Sequence, residues 1–288
     1  MKIWILLPAF NEEDSLLKLL PKISDAFKSM VYEYRVVVVN DGSLDKTTQV
    51  LEQFSQKMPV EVITHPINRG LGETERDGFE YVATKASQDD VVMRMDCDDT
   101  HEPEYFSALI NKILEGYDVV IASRFQKGGG QLGVDTYRAF ISLCANLFMR
   151  LVFNVKGIKD YSCGFRAYRV DKIKYAVKIF GNYFIQLKGL GFTSTLETII
   201  KLKLLGCSFT EVPFVLKYHQ KTTSSKMIAN ITMLGYFTMA ILYHWPFGGW
   251  RCSYEGLAQA FRSSPERALE HFSYKLKKRS MISRIGGG

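Results

Sequence analysis

The chain has no Cys-x-x-Cys pair, and its five cysteines, at 97, 144, 163, 207 and 252, are an odd number. This argues against a disulfide framework and a zinc knuckle and points to a reducing compartment. The five histidines never fall at the spacing of a metal-binding helix. There is no internal repeat and no long low-complexity run, so the composition is globular. The opening apolar run, residues 3–7, is too short for a signal peptide and ends at Pro8. No glycine-rich, lysine-containing triphosphate loop stands near the N-terminus, which argues against a nucleotidyltransferase that makes sugar nucleotides. Lys, Arg, Asp and Glu are all missing from 228–250.

What is present is a chain of 288 residues, 47% hydrophobic, long enough for one large core with an appended helical region. The formal charge of +7 lies partly in the tail, at Lys275, Lys277, Lys278, Arg279 and Arg284. Such a balance suits nucleic acid, anionic lipid or phosphate ligands equally. Short apolar runs alternate with helical patterns: strands are expected at 2–8, 35–40, 60–65, 91–96 and 118–123, and helices at 12–30, 45–56, 70–87 and 104–115. Asn11 is placed to cap the first helix. This βα alternation predicts an α/β fold with a doubly wound, mainly parallel sheet, which binds ligands beyond the carboxyl ends of its strands. After residue 123 the pattern predicts a glycine-rich loop at 126–133, a helix at 137–153 and a loop entering a strand at 160–169. A helix at 193–205, a strand at 208–216 and a final helix with the basic tail follow. We expect one domain over 1–220 and a helical, membrane-associated extension over 221–288.

Polar groups gather at three expected strand ends: Pro8-Ala9-Phe10-Asn11-Glu12, Asn40-Asp41-Gly42-Ser43 and Asp96-Cys97-Asp98-Asp99. Carboxylates converging on one crevice repel one another unless a cation joins them, and hard oxygen ligands imply Mg²⁺ or Mn²⁺. Asp96 and Asp98, two residues apart, can point the same way and address one metal and one nucleotide. Read alone, the pair is equally an acidic loop that caps the next helix.

With Asn68-Arg69-Gly70-Leu71-Gly72 added, these segments resemble, in order and spacing over about the first 125 residues, the family 2 glycosyltransferases of the GT-A fold. Ser123-Arg124, Asp160-Tyr161-Ser162-Cys163-Gly164-Phe165-Arg166, Glu197 and Ser225-Lys226 resemble one branch, the polyprenyl-phosphate glycosyltransferases such as the dolichyl-phosphate mannose synthases. The resemblance implies an inverting transfer of a sugar from a GDP- or UDP-linked donor to a polyprenyl phosphate. A glycan or small-molecule hydroxyl is the alternative acceptor, and a non-catalytic sugar-nucleotide-binding protein a remote third reading. It implies that Pro8, Phe10 and Glu12 hold the base and ribose, that Asp41 contacts the nucleobase, and that Asp96, Cys97, Asp98 and Arg124 complete the donor site, with Asp96 and Asp98 on the metal. Arg138, Arg166 and Lys226 are expected at donor or acceptor phosphates, since long cationic side chains suit phosphate oxygens. Asp98, Glu197 and Asp160 are the catalytic candidates, the last two as bases. Nucleic acid is not an expected partner. The chain departs from the branch in Thr100-His101-Glu102-Pro103, where a glutamine is common, and in Gln220-Lys221-Thr222-Thr223-Ser224-Ser225-Lys226, which lacks the usual arginine and glycine.

The 228–250 segment has the length of a membrane span but contains Asn230, Thr232, Thr238, His244 and Pro246. Trp245, Phe247 and Trp250 beside basic residues favour a helix lying in the interface, with the 137–153 helix next to it. The expected location is peripheral, at the cytoplasmic face of a membrane.

Overall fold

Val36, Val37, Val38 and Val39 are all wholly buried. The strand that carries them, β2 (Glu33–Asn40), is therefore covered on both faces. The computed structural model describes residues 1–220 and 229–273. β1 (Lys2–Ala9) runs parallel to β2 on one side and to β4 (Val91–Arg94) on the other, and β2 runs parallel to β3 (Val60–Thr64). The helices between them are α1 (Glu13–Lys28), α2 (Thr47–Ser55) and α3 (Leu71–Lys85), and α4 (Phe106–Leu114) leads into β5 (Val119–Ser123). Every element expected in this half is present, within two residues of its expected bounds.

The sheet order is β3-β2-β1-β4-β7-β5-β8. β7 (Arg166–Arg169) is antiparallel to both β4 and β5 and lies between them. Because it runs the other way, β7 begins at the edge where β4 and β5 end. Residues 160–165 are thereby delivered to the same edge as the segments that follow those two strands. α6 (Val170–Phe180), a helix beyond those expected, follows at once, and α7 (Thr193–Leu205) comes later. The single strand expected over 208–216 is broken. β8 (Phe209–Pro213) pairs with β5, whereas β9 (Val215–Lys217) pairs with β6 (Gly130–Leu132) in a separate two-stranded sheet. Pro213 has no N–H to carry the ladder on, and Phe214 beside it is wholly buried.

α5 (Thr136–Phe153) is capped by Asp135, whose carboxylate accepts the Tyr137 and Arg138 N–H bonds. The chain closes with α8 (Ala229–His244), α9 (Gly249–Ser253), α10 (Leu257–Ser263) and α11 (Pro265–Phe272). The expected 228–250 segment is thus a helix of 16 residues and part of another. At 1.5 Å per residue α8 is about 24 Å long, short of the ~30 Å of a hydrocarbon layer. Among the described residues no helix is long and apolar enough to cross a membrane. Tyr236, Met239 and Tyr243 of α8, with Leu257, Phe261 and Ala268 beyond it, join the same core as the sheet.

Candidate active site at the carboxyl ends of the strands

The loops after β1 and β2 are laced into one rim. Asn11 does not cap α1, because the cap position falls on Glu12. Asn11 takes a left-handed φ of 51° instead, donates its N–H to Ser43 Oγ at 2.9 Å and accepts the Leu44 N–H at 2.8 Å. The Glu12 N–H donates to Thr47 Oγ1 at 2.9 Å, and the Lys46 N–H to Glu13 Oε2 at 2.6 Å. Pro8 and Phe10 are half-buried on this rim, and Glu12 is buried.

Asp41 is buried, and it organises the neighbouring turn. Its Oδ1 accepts the Arg69 N–H at 2.9 Å and lies 2.6 Å from His65 Nδ1, while Oδ2 accepts the Gly70 N–H at 2.8 Å. Gly70 has φ 86°, a left-handed conformation that favours glycine. The carboxylate expected at the nucleobase thus already carries three contacts that hold the start of α3.

Asp96 and Asp98 are half-buried, whereas Cys97 between them is buried. The alternation presents both aspartates at the crevice and turns the Cys97 side chain into the core. Asp98 Oδ1 accepts the Thr100 hydroxyl at 2.6 Å. Asp96 Oδ1 lies 2.5 Å from Arg94 NH1, and the Asp96 N–H donates to His101 Nδ1 at 2.9 Å. His101 is buried and stacked on Phe165. Because Nδ1 accepts, the ring proton sits on Nε2, 3.5 Å from Asp96 Oδ2. Burial lowers the His101 pKa and keeps the ring neutral. The other acids of this cluster face elsewhere: Asp99 and Glu102 both bind Lys22, at 2.8 and 3.2 Å.

Mg²⁺ and Mn²⁺ take oxygen ligands, and Mg²⁺ commonly binds through one or two carboxylates plus substrate phosphates. The pair Asp96 and Asp98 fits that pattern. Among the described residues no group of three or more His, Cys, Asp or Glu could hold an ion by itself. The donor set suits a metal shared with a diphosphate.

The turn before β7 is held by a buried ion pair and hydrogen bonds. Arg124 Nε and NH2 meet Asp160 Oδ2 and Oδ1 at 2.8 and 2.7 Å, fork on fork, and NH2 also donates to Ser162 Oγ at 2.6 Å. Asp160 is 0% exposed and accepts further N–H bonds from Arg124 and Cys163. Burial would push its carboxyl up, but the Arg124 guanidinium and these donors outweigh burial and hold it below the usual range. The pair expected to supply a base and a phosphate contact is thus buried and bonded to itself, and it holds the turn before β7. Arg166 is also 0% exposed, donating to the Thr195 and Tyr161 carbonyls at 2.5 and 2.9 Å. It ties β7 to α7 from a buried position.

Glu197 is likewise wholly buried. Its Oε2 accepts the Gln186 and Leu187 N–H bonds, both at 2.9 Å, and Oε1 lies 3.7 Å from Lys201 Nζ. Burial pushes its pKa up, and Lys201 and the two N–H bonds oppose the rise. The loop it holds passes over the start of α3, where a Cβ on Gly72 would come within 2.6 Å of Lys188 Cα. Glu197, expected as a candidate base, thus holds the 186–187 backbone at the border of the crevice. Arg138 is exposed in the first turn of α5 and donates to Tyr218 Oη at 3.0 Å. Lys226 lies outside the described residues.

Several residues outside the motifs also build the site. Arg94 and Glu75 are both buried, with Arg94 Nε 2.6 Å from Glu75 Oε1. A signal was available, since an arginine inside the apolar run Val91-Val92-Met93-Arg94-Met95 requires a buried partner. Asn146 of α5 accepts the Tyr161 N–H at 2.7 Å and donates to Ser162 Oγ at 3.0 Å, bracing the turn from the helix side.

The family described as Glycosyl transferase family 2 matches residues 4–175. The chain is 34% identical over 215 residues to a dolichol-phosphate mannosyltransferase of Pyrococcus furiosus, covering 74% of this chain and 56% of that one. It is 30% identical over 232 residues to an undecaprenyl-phosphate mannosyltransferase of Micrococcus luteus, covering 80% and 89%. An undecaprenyl-phosphate 4-deoxy-4-formamido-L-arabinose transferase of Pseudomonas fluorescens is 32% identical over 167 residues, 57% of this chain and 46% of that one. The chain thus spans about half the length of two of these curated relatives. Among solved structures, glucosyl-3-phosphoglycerate synthase of Mycobacterium tuberculosis, in complex with Mn²⁺, UDP and phosphoglyceric acid, superposes with a TM-score of 0.57 at 17% identity, covering 84% of this chain and 77% of that one. At that identity the likeness is one of fold, the GT-A arrangement.

Proposed function

The chain belongs to glycosyl transferase family 2, and from that premise we propose that it moves a sugar, with inversion, from a UDP- or GDP-linked donor to a polyprenyl phosphate at a membrane surface. The names of the curated relatives, all polyprenyl-phosphate sugar transferases, support this reading. The observation that carries the choice of acceptor is the complete burial of Asp160 and Glu197. A hydroxyl acceptor needs a base to take its proton. A phosphate monoester, with a second pKa of roughly 6, is already largely ionised near neutrality and needs positioning instead.

In this reading Asp96 and Asp98 hold Mg²⁺ or Mn²⁺ together with the donor diphosphate. The metal supplies charge stabilisation to the departing nucleotide diphosphate. Pro8 and Phe10 on the rim border the nucleoside, and the rim hydrogen bonds fix where it lies. Arg138, exposed beside the crevice, attracts the acceptor phosphate, with Lys226 proposed as its companion.

The membrane part is supported by two helices. α5 exposes Tyr137, Phe140, Leu143, Leu147 and Leu151, and α8 exposes Leu234, Phe237 and Ile241, followed by Trp245 and Phe247. The helices meet through Phe148 and Phe237, whose ring centres are 5.1 Å apart. Apolar stripes side by side at helical spacing, with Arg138 and Arg150 at the ends of one of them, suit an interfacial layer of anionic lipid. The five free cysteines accord with the cytoplasmic face.

The test is transfer from labelled UDP- and GDP-sugars with Mn²⁺ and polyprenyl phosphate in vesicles. Label is expected in the organic phase, lost with EDTA and lost in Asp98→Ala. Label that stays wholly aqueous on a soluble acceptor rejects the lipid reading, and undiminished transfer by Asp98→Ala rejects the metal reading.

A further inference from the structure

Arg94 is a permanent cation on a central strand. It is 2% exposed and stands between two carboxylates, with Nε 2.6 Å from Glu75 Oε1 and NH1 2.5 Å from Asp96 Oδ1. Its seat exists because residue 164 has no side chain: a Cβ on Gly164 would come 1.7 Å from Arg94 NH1. Three separate segments, α3, β4 and the turn before β7, thus combine to deliver a positive charge to one oxygen of Asp96. Arg94 is therefore tied into the metal site, and transfer of a sugar requires nothing of it directly.

We propose that Arg94 is a resident counter-ion for Asp96 that weakens the hold of the protein alone on a divalent cation, so that tight metal binding depends on the nucleotide diphosphate. The proposal rests on the metal-dependent reading above. A dication at Asp96 has to share that carboxylate with a fixed monocation, and like charges a few ångströms apart repel. The described residues offer no cluster of three ligands that would override this repulsion. A diphosphate brings several anionic oxygens, and these restore the balance in favour of the metal. Between donors, Arg94 keeps Asp96 partly neutralised without a metal. Arg94 acts through Asp96 and is a positioning residue.

The experiment follows the electron paramagnetic resonance signal of free aqueous Mn²⁺ during titration of the full chain, first alone and then with excess UDP or GDP. Arg94→Met combined with Glu75→Gln removes the two opposite charges together and leaves the net charge of the site unchanged. Its affinity for Mn²⁺ alone is expected to rise about tenfold, equivalent to about 1.4 kcal/mol, while affinity in the presence of UDP or GDP changes less. A folding defect lowers binding, so a gain does not arise from damage. Gly164→Ala is the second variant: it keeps every charge and presses one methyl group against the guanidinium, with a gain in the same direction expected. If the double variant does not fold, Gly164→Ala decides. Mn²⁺ affinity that stays level or falls in the folded variants overturns the proposal. A wild-type chain that binds no Mn²⁺ even with UDP and GDP refutes the metal reading itself, which is a separate failure.

Discussion

Replacing Asp160 by Asn asks whether its carboxylate serves the structure or the reaction. Asp160 is 0% exposed and its partner Arg124 has 12% of its side chain exposed. Removing one member of a buried ion pair costs about 3–5 kcal/mol, because the remaining charge stays in the interior. The residual exposure of Arg124 lets water relieve part of that cost, which favours the lower end. With an unfolding entropy of about 2.1 cal/mol/K per residue, a chain of 288 residues loses Tm by about 5–8 °C for such a cost. The pH dependence gives an independent check. The Asp160 carboxyl has a folded pKa below its unfolded value of about 3.9. Its contribution is fully present above that unfolded value and is lost as pH falls through the folded one. The gap in Tm between wild type and Asp160→Asn should therefore hold steady from about pH 8 to 5 and narrow below about pH 4. Calorimetric melts across this range measure it. An Asn variant with unchanged Tm and abolished transfer would refute the reasoning and return Asp160 to the role of base.

Three further outcomes are expected. Gly72→Val drives side-chain carbon into the Lys188 backbone, where even a Cβ would stand 2.6 Å from Cα. It should cost about 1–3 kcal/mol and open the 184–192 loop to proteolysis, which limited digestion reads. Leu147→Asp together with Phe237→Asp places charge on the exposed faces of α5 and α8, and sedimentation with anionic vesicles should fall at least about tenfold, roughly 1.4 kcal/mol, with UDP or GDP binding unchanged. Arg138→Ala should leave Tm within about 1 °C, as expected for an exposed side chain, and raise KM for polyprenyl phosphate more than it lowers kcat.

The first half of the fold was legible because β1, β2, β4 and β5 are largely buried runs, β3 alternates, and the helices carry one apolar stripe each. Val36–Val39 and the stripe of Leu16, Leu20, Ile23 and Phe27 are local patterns, and local patterns survive in a linear reading. β7 was harder. Four residues, Arg166-Ala167-Tyr168-Arg169, carry no mark of direction, and the pairing that makes the strand antiparallel comes from β4 and β5, far away in sequence. The spacing of Asp96 and Asp98 puts both on one side of the chain, as their shared half-buried state shows, whereas the choice between a metal pair and an acidic cap needs the other motifs beside it. The burial of Asp160, Glu197, Arg124 and Arg166 was not legible, for one physical reason: a charged residue in a motif reads as exposed, while burial of its carboxylate or guanidinium is decided by the tertiary contacts. Arg124 and Asp160 answer each other across 36 residues. His101 stood out as a departure from the branch pattern, yet only the fold shows its ring accepting the Asp96 N–H.

The antiparallel insertion of β7 also bears on how the chain is made. On a ribosome, β4 and β5 emerge well before residue 166, and until then each lacks the neighbour that lies between them in the finished sheet. A nascent or prematurely ended chain stopping near residue 160 therefore carries three apolar strand edges with no partner, one on β4 and both on β5, the kind of edge that templates association with other chains. Fragments that stop shortly before β7 should be aggregation-prone and clients for chaperones, whereas the sheet can close only once β7 and β8 have been synthesised.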